Sequence, residues 1–252
     1  MRRDRLPLLG AASSPFRTTA DGLELAGAGF AARSAALAAL CRTLADAGTI
    51  ELRGELYPLV QQFGDEPLLQ LDRGAVPFFG VRPFGVHLCA FVRRGDGLHA
   101  WVAVRARDKT FPGQWDNTVA GGQPIGLSLR DNLHKECAEE AGMPADLAIR
   151  AVPASTITYV REDDSGLKPD TLFCYDLEVP ADFVPQPHDG EVERFLLLPL
   201  AELITAVRDS ARCKPNCALV WIDFFLRHGA LDGELPAAAR ADLAARLRVQ
   251  LP

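Results

Sequence analysis

The feature that most constrains the fold is a short segment with start and stop signals for one helix. Ser128 and Asp131 form the S-x-x-D pattern in which a serine caps the first turn, so the helix is predicted to begin at Leu129. Gly142 is suited to the left-handed conformation that ends a helix. Residues 129–141 are therefore predicted to form one complete helix.

The predicted helix carries an apolar stripe and an acidic arc side by side. At about 100° per residue, one face collects the stripe: Leu129, Leu133, Cys137 and Ala141. Glu136, Glu139 and Glu140 fall within an arc of about 100° beside it. Such carboxylates repel one another, and a solvated acidic face is the alternative interpretation. Because the arc adjoins the core stripe and follows a glycine-rich turn, the pattern favours a site for a hard cation such as Mg²⁺.

The same segment resembles the Nudix signature, in which a glycine, a distant glutamate and R-E-x-x-E-E-x-G follow in fixed register. The matching positions hold Gly121, Lys135, Glu136, Glu139, Glu140, Gly142 and Met143. Two positions depart from the signature, since Lys135 stands where arginine is usual and Leu127 stands where the first glutamate is usual. The second departure leaves open which group activates the attacking water.

The resemblance implies a fold, a reaction and a set of site residues. The fold is the Nudix-type α/β/α sandwich with a mixed sheet, within the α/β (α+β) class. Metal ligands are expected from Glu136, Glu139, Glu140 and a carbonyl near Gly121, with Mg²⁺ as cofactor and Mn²⁺ as an alternative. The reaction is hydrolysis of a diphosphate linkage, with attack at the terminal phosphorus. A non-catalytic Nudix binding module is the non-enzymatic alternative.

Further stretches are similar to one Nudix subgroup, which includes the Nudix domain fused to fungal thiamine pyrophosphokinase. These stretches are 54–57, 85–87, 109–122 and 214–229. Members are implicated in converting thiamine diphosphate, preferentially its oxidised or damaged forms, to the monophosphate, and leucine and lysine are normal there at the two departing positions. Nucleotide or nucleotide-sugar hydrolysis is the enzymatic alternative. Isopentenyl diphosphate isomerase chemistry is disfavoured because Gly121 and Gly122 lie where its cysteine is expected.

Two more charged residues are candidates for catalysis. Lys135 is expected to brace a glutamate, with a solvent-exposed cation as the alternative. Glu191 is a candidate fourth carboxylate or the missing base, with a polar residue entering a strand as the alternative.

Substrate contacts are expected from the hairpin strand and the loop after it. Arg105, Arg107 and Lys109 share one predicted strand face and could meet phosphates, unless this is an exposed basic edge strand. Trp115 could stack on a substrate ring or act as a packing anchor. Asp116 either orients the substrate or builds a turn.

The rest of the chain divides into a small N-terminal α+β region, 1–80, and a Nudix hydrolase domain with C-terminal helices, 81–252. Strands are predicted at 85–92, 98–107, 151–160, 171–179 and 192–198, with a turn at 94–97. Helices are predicted at 31–47, 199–209, 216–228 and 236–248. A mixed sheet flanked by helices follows from this order.

Composition narrows the partners and the compartment. The net charge of −6 over 252 residues gives no support for nucleic-acid binding. Segments approaching the roughly 20 apolar residues of a membrane span are lacking, and Pro7 and Gly10 break the apolar run that could serve as an export signal. Six scattered cysteines suit a reduced cytoplasm, and Cys213 and Cys217 lack the second ligand pair of a zinc site. The expected partner is a small-molecule diphosphate, with a homodimer as an option.

Overall fold

The computed structural model describes residues 1–9, 14–20, 22–209 and 212–248. The chain forms two compact units. The first contains Met1–Pro83, Gln123–Gly126 and Tyr159–Asp170, and the second contains Phe84–Gly122, Leu127–Thr158 and Thr171–Pro252. Segments 123–126 and 159–170 thus belong to the first unit although they follow the predicted boundary at residue 80. Residues 10–12, the end of the run considered as an export signal, lie outside the described residues.

The helices and strands alternate along the whole chain. Up to residue 83 they are α1 (Leu6–Leu9), β1 (Phe16–Thr19), β2 (Gly22–Leu25), α2 (Gly29–Asp46), β3 (Leu56–Leu59), β4 (Leu69–Asp72) and α3 (Val76–Phe79). Next come β5 (Phe84–Arg94), β6 (Gly97–Arg105), β7 (Trp115–Asp116), β8 (Val119–Gly122), α4 (Leu129–Ala141), α5 (Ala145–Ala148) and β9 (Val152–Thr158). The remainder forms β10 (Arg161–Asp163), β11 (Gly166–Lys168), β12 (Thr171–Glu178), β13 (Val192–Pro199), α6 (Leu200–Arg208), α7 (Pro215–Arg227) and α8 (Ala237–Arg246).

The first unit is an α+β arrangement built around α2. Its strands form three two-stranded antiparallel sheets, β1–β2, β3–β4 and β10–β11. The buried side chains Leu37, Cys41 and Leu44 of α2 share a core with Leu69 and Leu71 of β4. The helix predicted at 31–47 is therefore confirmed, since its apolar residues recur at the helical spacing that one buried face requires.

The second unit is built on a mixed sheet. Its strand order is β13-β6-β5-β12-β9, with β7 added to β6 and β8 added to β5. The β12–β5 pair is parallel, and the other pairs are antiparallel. The predicted mixed sheet and fold class are confirmed.

Helices cover both faces of this sheet. Side chains along a strand alternate between faces, and Val86 and Leu88 of β5 share a core with Leu133 of α4. On the opposite face, the ring of Phe91 lies 5.7 Å from the ring of Phe224 in α7. The sheet is therefore the middle layer of an α/β/α arrangement.

The second strand of the hairpin is shorter than predicted. Strand β6 ends at Arg105 instead of reaching residue 107. At that point the chain turns, because the Gly113 N–H returns to the Arg105 carbonyl and the Ala106 N–H leaves for the Glu191 carbonyl. The prediction that Arg107 and Lys109 share the strand face of Arg105 was therefore wrong. Among the described residues, no helix is long and apolar enough to cross a membrane.

Candidate active site

Helix α4 begins and ends where its capping residues predict. The Ser128 hydroxyl accepts a hydrogen bond from the Asp131 N–H at 3.1 Å. At the other end Gly142 adopts the left-handed conformation, with φ 57°, and its N–H donates to the Ala138 carbonyl. These two caps fix the register of every side chain on the helix.

The three glutamates of α4 differ in exposure because they lie at different angles from the apolar stripe. Leu133, Cys137 and Ala141 are buried against the sheet, and Leu129 is partly buried beside them. Glu136 and Glu140 retain only 8% and 5% of their exposed surface, whereas Glu139 is exposed. The helix thus places two carboxylates beside the core and a third at the rim.

Strand β8 approaches this helix closely through Gly121. A Cβ atom at Gly121 would lie within 2.5 Å of Oε1 of Glu136 and would overlap its Cγ and Cδ atoms. The Asn132 amide donates to the Gly122 carbonyl at 2.8 Å, and the Ala120 N–H donates to Oε2 of Glu140 at 2.9 Å. The glycine is needed because the Glu136 carboxylate occupies the space of a side chain.

Lys135 lies against two of the glutamates. Its Nζ is 3.3 Å from Oε1 of Glu136 and 2.6 Å from Oε2 of Glu139. The ammonium is partly exposed, so these ion pairs contribute little to stability. Their effect is to hold the two carboxylates in place and to lower their mutual repulsion, which matches the bracing role expected of Lys135.

A second charged cluster lies on the β7 side of the same unit. Oδ2 of Asp116 accepts hydrogen bonds from Nη1 of Arg105 at 2.9 Å and from Nζ of Lys214 at 3.1 Å. Its Oδ1 accepts from the Asn117 N–H at 2.9 Å and from the Cys217 thiol at 2.5 Å. Burial alone would raise the pKa of Asp116, but the charges of Lys214 and Arg105 hold it well below its usual range.

His87 completes this cluster from strand β5. Its Nδ1 lies 2.8 Å from Oδ1 of Asn117, and burial lowers its pKa to about 4, so the ring is neutral near pH 7. His87, Asp116 and Cys217 place potential ligand atoms within 4.8 Å of one another. Both Asp116 oxygens already accept hydrogen bonds, however, and the adjacent ammonium and guanidinium oppose a further cation.

The two clusters are electrostatically connected. Burial raises the pKa of Glu140 well above its usual range, and the charges of Asp116, Glu136 and Glu191 raise it further. A divalent cation among these oxygens would relieve both burdens, since Mg²⁺ and Ca²⁺ prefer oxygen ligands. The donor set of Glu136, Glu139 and Glu140 therefore fits such an ion.

The remaining predicted site residues lie around the loop between β6 and β7. Arg107 is 89% exposed and lies 3.7 Å from Glu193, and Nζ of Lys109 lies 3.4 Å from Oε1 of Glu191. Trp115 is partly buried beneath the guanidinium of Arg212, at 5.6 Å. These contacts leave the assignment of Arg107, Lys109, Trp115 and Glu191 to the site a prediction.

Lys214 and Cys217 are the members of the buried cluster that sequence reasoning did not connect with Asp116. They lie about a hundred positions further along the chain, at the start of α7, and no local pattern links them to β7. The signal that pointed to them was the subgroup resemblance of residues 214–229.

Comparison with known proteins assigns the family. A model described as "NUDIX domain" matches residues 83–217, and one described as "Domain of unknown function (DUF4743)" matches residues 14–83. Over 218 residues the chain is 42% identical to Nudix hydrolase 20, chloroplastic, and 41% identical to Nudix hydrolase 24, chloroplastic, both from Arabidopsis thaliana. These alignments cover 86% of this chain but 58% and 59% of the relatives, so the chain spans under two thirds of their length.

A solved structure shares the fold. The structure of DR0079 from Deinococcus radiodurans aligns with a TM-score of 0.51 and 20% identity, covering 66% of this chain and 97% of that protein. The family match spans the sheet, α4 with its glutamates, and the buried cluster up to Cys217. The chain therefore belongs to the NUDIX domain family.

Proposed function

We propose that this protein is a divalent-metal-dependent hydrolase that cleaves a diphosphate linkage in a small molecule. The observation that carries the proposal is the packing of the Glu136 carboxylate into the space left by Gly121, beside the buried Glu140. Two carboxylates buried next to each other are costly unless a cation compensates them. The names of the Arabidopsis relatives state a hydrolase, which supports the same reaction class.

The residues have distinct roles in this proposal. Glu136, Glu139 and Glu140 would hold Mg²⁺, with a carbonyl near Gly121 as a further ligand and Mn²⁺ as an alternative ion. When bound, such an ion supplies charge neutralisation and Lewis acidity. The Ala120 N–H orients one oxygen of Glu140, and Lys135 orients Glu136 and Glu139. Glu191 is the proposed base, since its charge acts on Glu140 and its carboxylate is partly exposed.

For the substrate we propose thiamine diphosphate, above all its oxidised or damaged forms, with thiamine monophosphate and phosphate as products. This choice rests on the subgroup resemblance, including the stretches at 109–122 and 214–229. Both stretches contribute to the Asp116 cluster, so the resembling residues meet beside the proposed metal ligands. Trp115 is the proposed stacking partner for the heterocycle. The six described cysteines are free and buried, which supports the proposal of a reducing, cytoplasmic compartment.

The test is phosphate release with Mg²⁺ from thiamine diphosphate, its oxidised analogues and a panel of nucleoside diphosphates and triphosphates. Glu140→Gln keeps the side-chain size and an acceptor for the Ala120 N–H, so we expect a folded protein whose turnover falls by about 100-fold or more. Glu178→Gln, an exposed carboxylate at the end of β12, is the matched control and should keep wild-type activity.

The outcomes separate the parts of the proposal. Preferential release from thiamine compounds, lost in Glu140→Gln, supports both the reaction and the substrate. Turnover confined to nucleotides keeps the reaction and rejects the thiamine assignment. Undiminished turnover in Glu140→Gln rejects the metal cluster itself.

A further inference from the structure

The buried cluster around Asp116 carries an excess of positive charge. Arg105 and Lys214 both pair with this one carboxylate, and their side chains are only 12% and 17% exposed. His87 is neutral near pH 7 because burial lowers its pKa, and burial raises the pKa of the Cys217 thiol so that it stays protonated. The cluster therefore holds two cations and one anion, and a buried excess charge is unfavourable unless a partner compensates it.

Lys214 is the cation with hydrogen-bonding capacity to spare. Its Nζ carries three donors, and within the described chain Asp116 is its one hydrogen-bond partner. Arg105 is more fully engaged, because its Nε also donates to the Thr110 carbonyl at 2.7 Å. Two N–H donors of Lys214 thus remain for a ligand.

The backbone holds Lys214 in a fixed position. The Lys214 N–H donates to the Trp115 carbonyl at 2.9 Å, and the Trp115 N–H donates to the Arg212 carbonyl at 2.7 Å. Helix α7 begins at the next residue, Pro215, which favours the first turn of a helix. Lys214 is therefore fixed between β7 and α7 before any ligand arrives, which reduces the entropy lost on binding.

The cluster lies beside the carboxylates of α4. Strand β7 ends at Asp116, and the chain reaches Ala120 on β8, whose N–H donates to Glu140, four residues later. Ala120 is also the register partner of His87, which contacts Asn117. The negative charge of Asp116 acts on both Glu140 and Lys214. Positive and negative clusters thus adjoin within one site.

We propose that Lys214, held by Asp116, is the substrate-binding cation of the site and donates to a non-bridging oxygen of the substrate's diphosphate group. An anionic oxygen there would use the spare donors and neutralise the excess charge. The predicted alternatives are less suited, because Lys109 pairs with Glu191 and Arg107 extends into solvent beside Glu193. This inference rests on the proposed diphosphate function and names the residue that recognises the diphosphate.

The experiment measures binding of methylenediphosphonate, a non-hydrolysable diphosphate, by titration calorimetry in the presence of Mg²⁺. For Lys214→Gln we expect a Kd about ten- to a hundredfold higher, the loss expected for a hydrogen bond to a charged group. Arg208→Gln removes a cation that is 69% exposed at the end of α6 and should keep the Kd within about twofold. An unchanged Kd in a folded Lys214→Gln variant overturns the proposal.

A second measurement covers the case in which Lys214→Gln does not fold. In the wild-type protein, methylenediphosphonate should shift the backbone amide resonances of Lys214 and Asp116 during an NMR titration, and bound ligand without such shifts overturns the proposal. Because neither measurement needs turnover, the two hypotheses fail separately. Absent hydrolysis of every diphosphate tested, together with Lys214-dependent binding, rejects only the proposed reaction. Hydrolysis that depends on Glu140, with binding indifferent to Lys214, rejects only this inference.

Discussion

Replacing Gly121 by alanine tests the geometry of the site with a single methyl group. The new Cβ would lie within 2.5 Å of Oε1 of Glu136 and would overlap two carbon atoms of the same side chain. Strand β8 has little freedom to retreat, because Gly121 pairs with Val86 of β5 and the flanking residues hydrogen-bond to α4. The side chain of Glu136 must therefore leave its position.

The expected cost follows from overpacking of a fitted interior. Such substitutions reduce the free energy of unfolding by about 1–3 kcal/mol, measured by urea unfolding with tryptophan fluorescence. Displacement of Glu136 should also lower Mg²⁺-dependent phosphate release by about tenfold or more. Gly95→Ala is the matched control, because a Cβ at Gly95 has no neighbour within 4 Å and should change stability by less than about 0.5 kcal/mol.

A double-mutant cycle decides whether Glu136 is the cause. In the Glu136→Ala background the space beside Gly121 is vacant, so Gly121→Ala should cost at least about 1 kcal/mol less than in the wild-type protein. Two results would refute the reasoning. One is a cost equal to that of Gly95→Ala, and the other is the same cost with and without the Glu136 carboxylate.

Three further predictions concern the second unit. Burial lowers the pKa of His87 from 6.5 to about 4, so the unfolded chain binds the proton more tightly; stability should therefore fall by about 1.4 kcal/mol per pH unit from about pH 6.5 down to about 4, and urea unfolding of His87→Gln should lack this component. Burial raises the pKa of Cys137 to about 12 and all six cysteines are buried, so a thiol reagent at pH 8 should label the native protein slowly and the guanidinium-unfolded protein completely, whereas rapid native labelling would contradict the described burial. Arg227→Met leaves Asp176 and Asp223 without their shared guanidinium and should cost about 3–5 kcal/mol in urea unfolding, with an unchanged midpoint as the contrary result.

Short-range features of the site could be predicted from the sequence because short-range chemistry determines them. The caps at Ser128 and Gly142 specify both ends of α4, and the stripe through Leu133 and Cys137 specifies which face is buried. Once the ends and the buried face are known, the helical repeat alone places the three glutamates at the edge of the core. The mixed sheet followed for the same reason, since each strand carries its own pattern.

Long-range pairings could not be predicted in this way. The role of Arg105 changed because its guanidinium meets Asp116 and the Thr110 carbonyl, contacts that depend on the path of the loop after β6. The pairing of Asp116 with Lys214 depends on how α7 is placed beside β7, which no local repeat encodes. A hairpin at β10–β11 was also not predicted, although its Asp164, Ser165 and Gly166 are typical turn residues.

The adjoining clusters of opposite charge favour a site that binds metal and diphosphate together. In the proposed function, a divalent ion alone would relieve the carboxylates of α4 and leave the excess charge at Lys214, while a diphosphate alone would satisfy Lys214 and face Glu140. Each ligand therefore improves the environment of the other, and linkage requires this benefit to be reciprocal. Mg²⁺ should lower the Kd for methylenediphosphonate, and the diphosphonate should lower the Kd for Mg²⁺ by the same factor. Loss of this coupling in Lys214→Gln, with the Mg²⁺ affinity of the ligand-free protein preserved, would assign the anionic half of the pair to Lys214 and the cationic half to the glutamates.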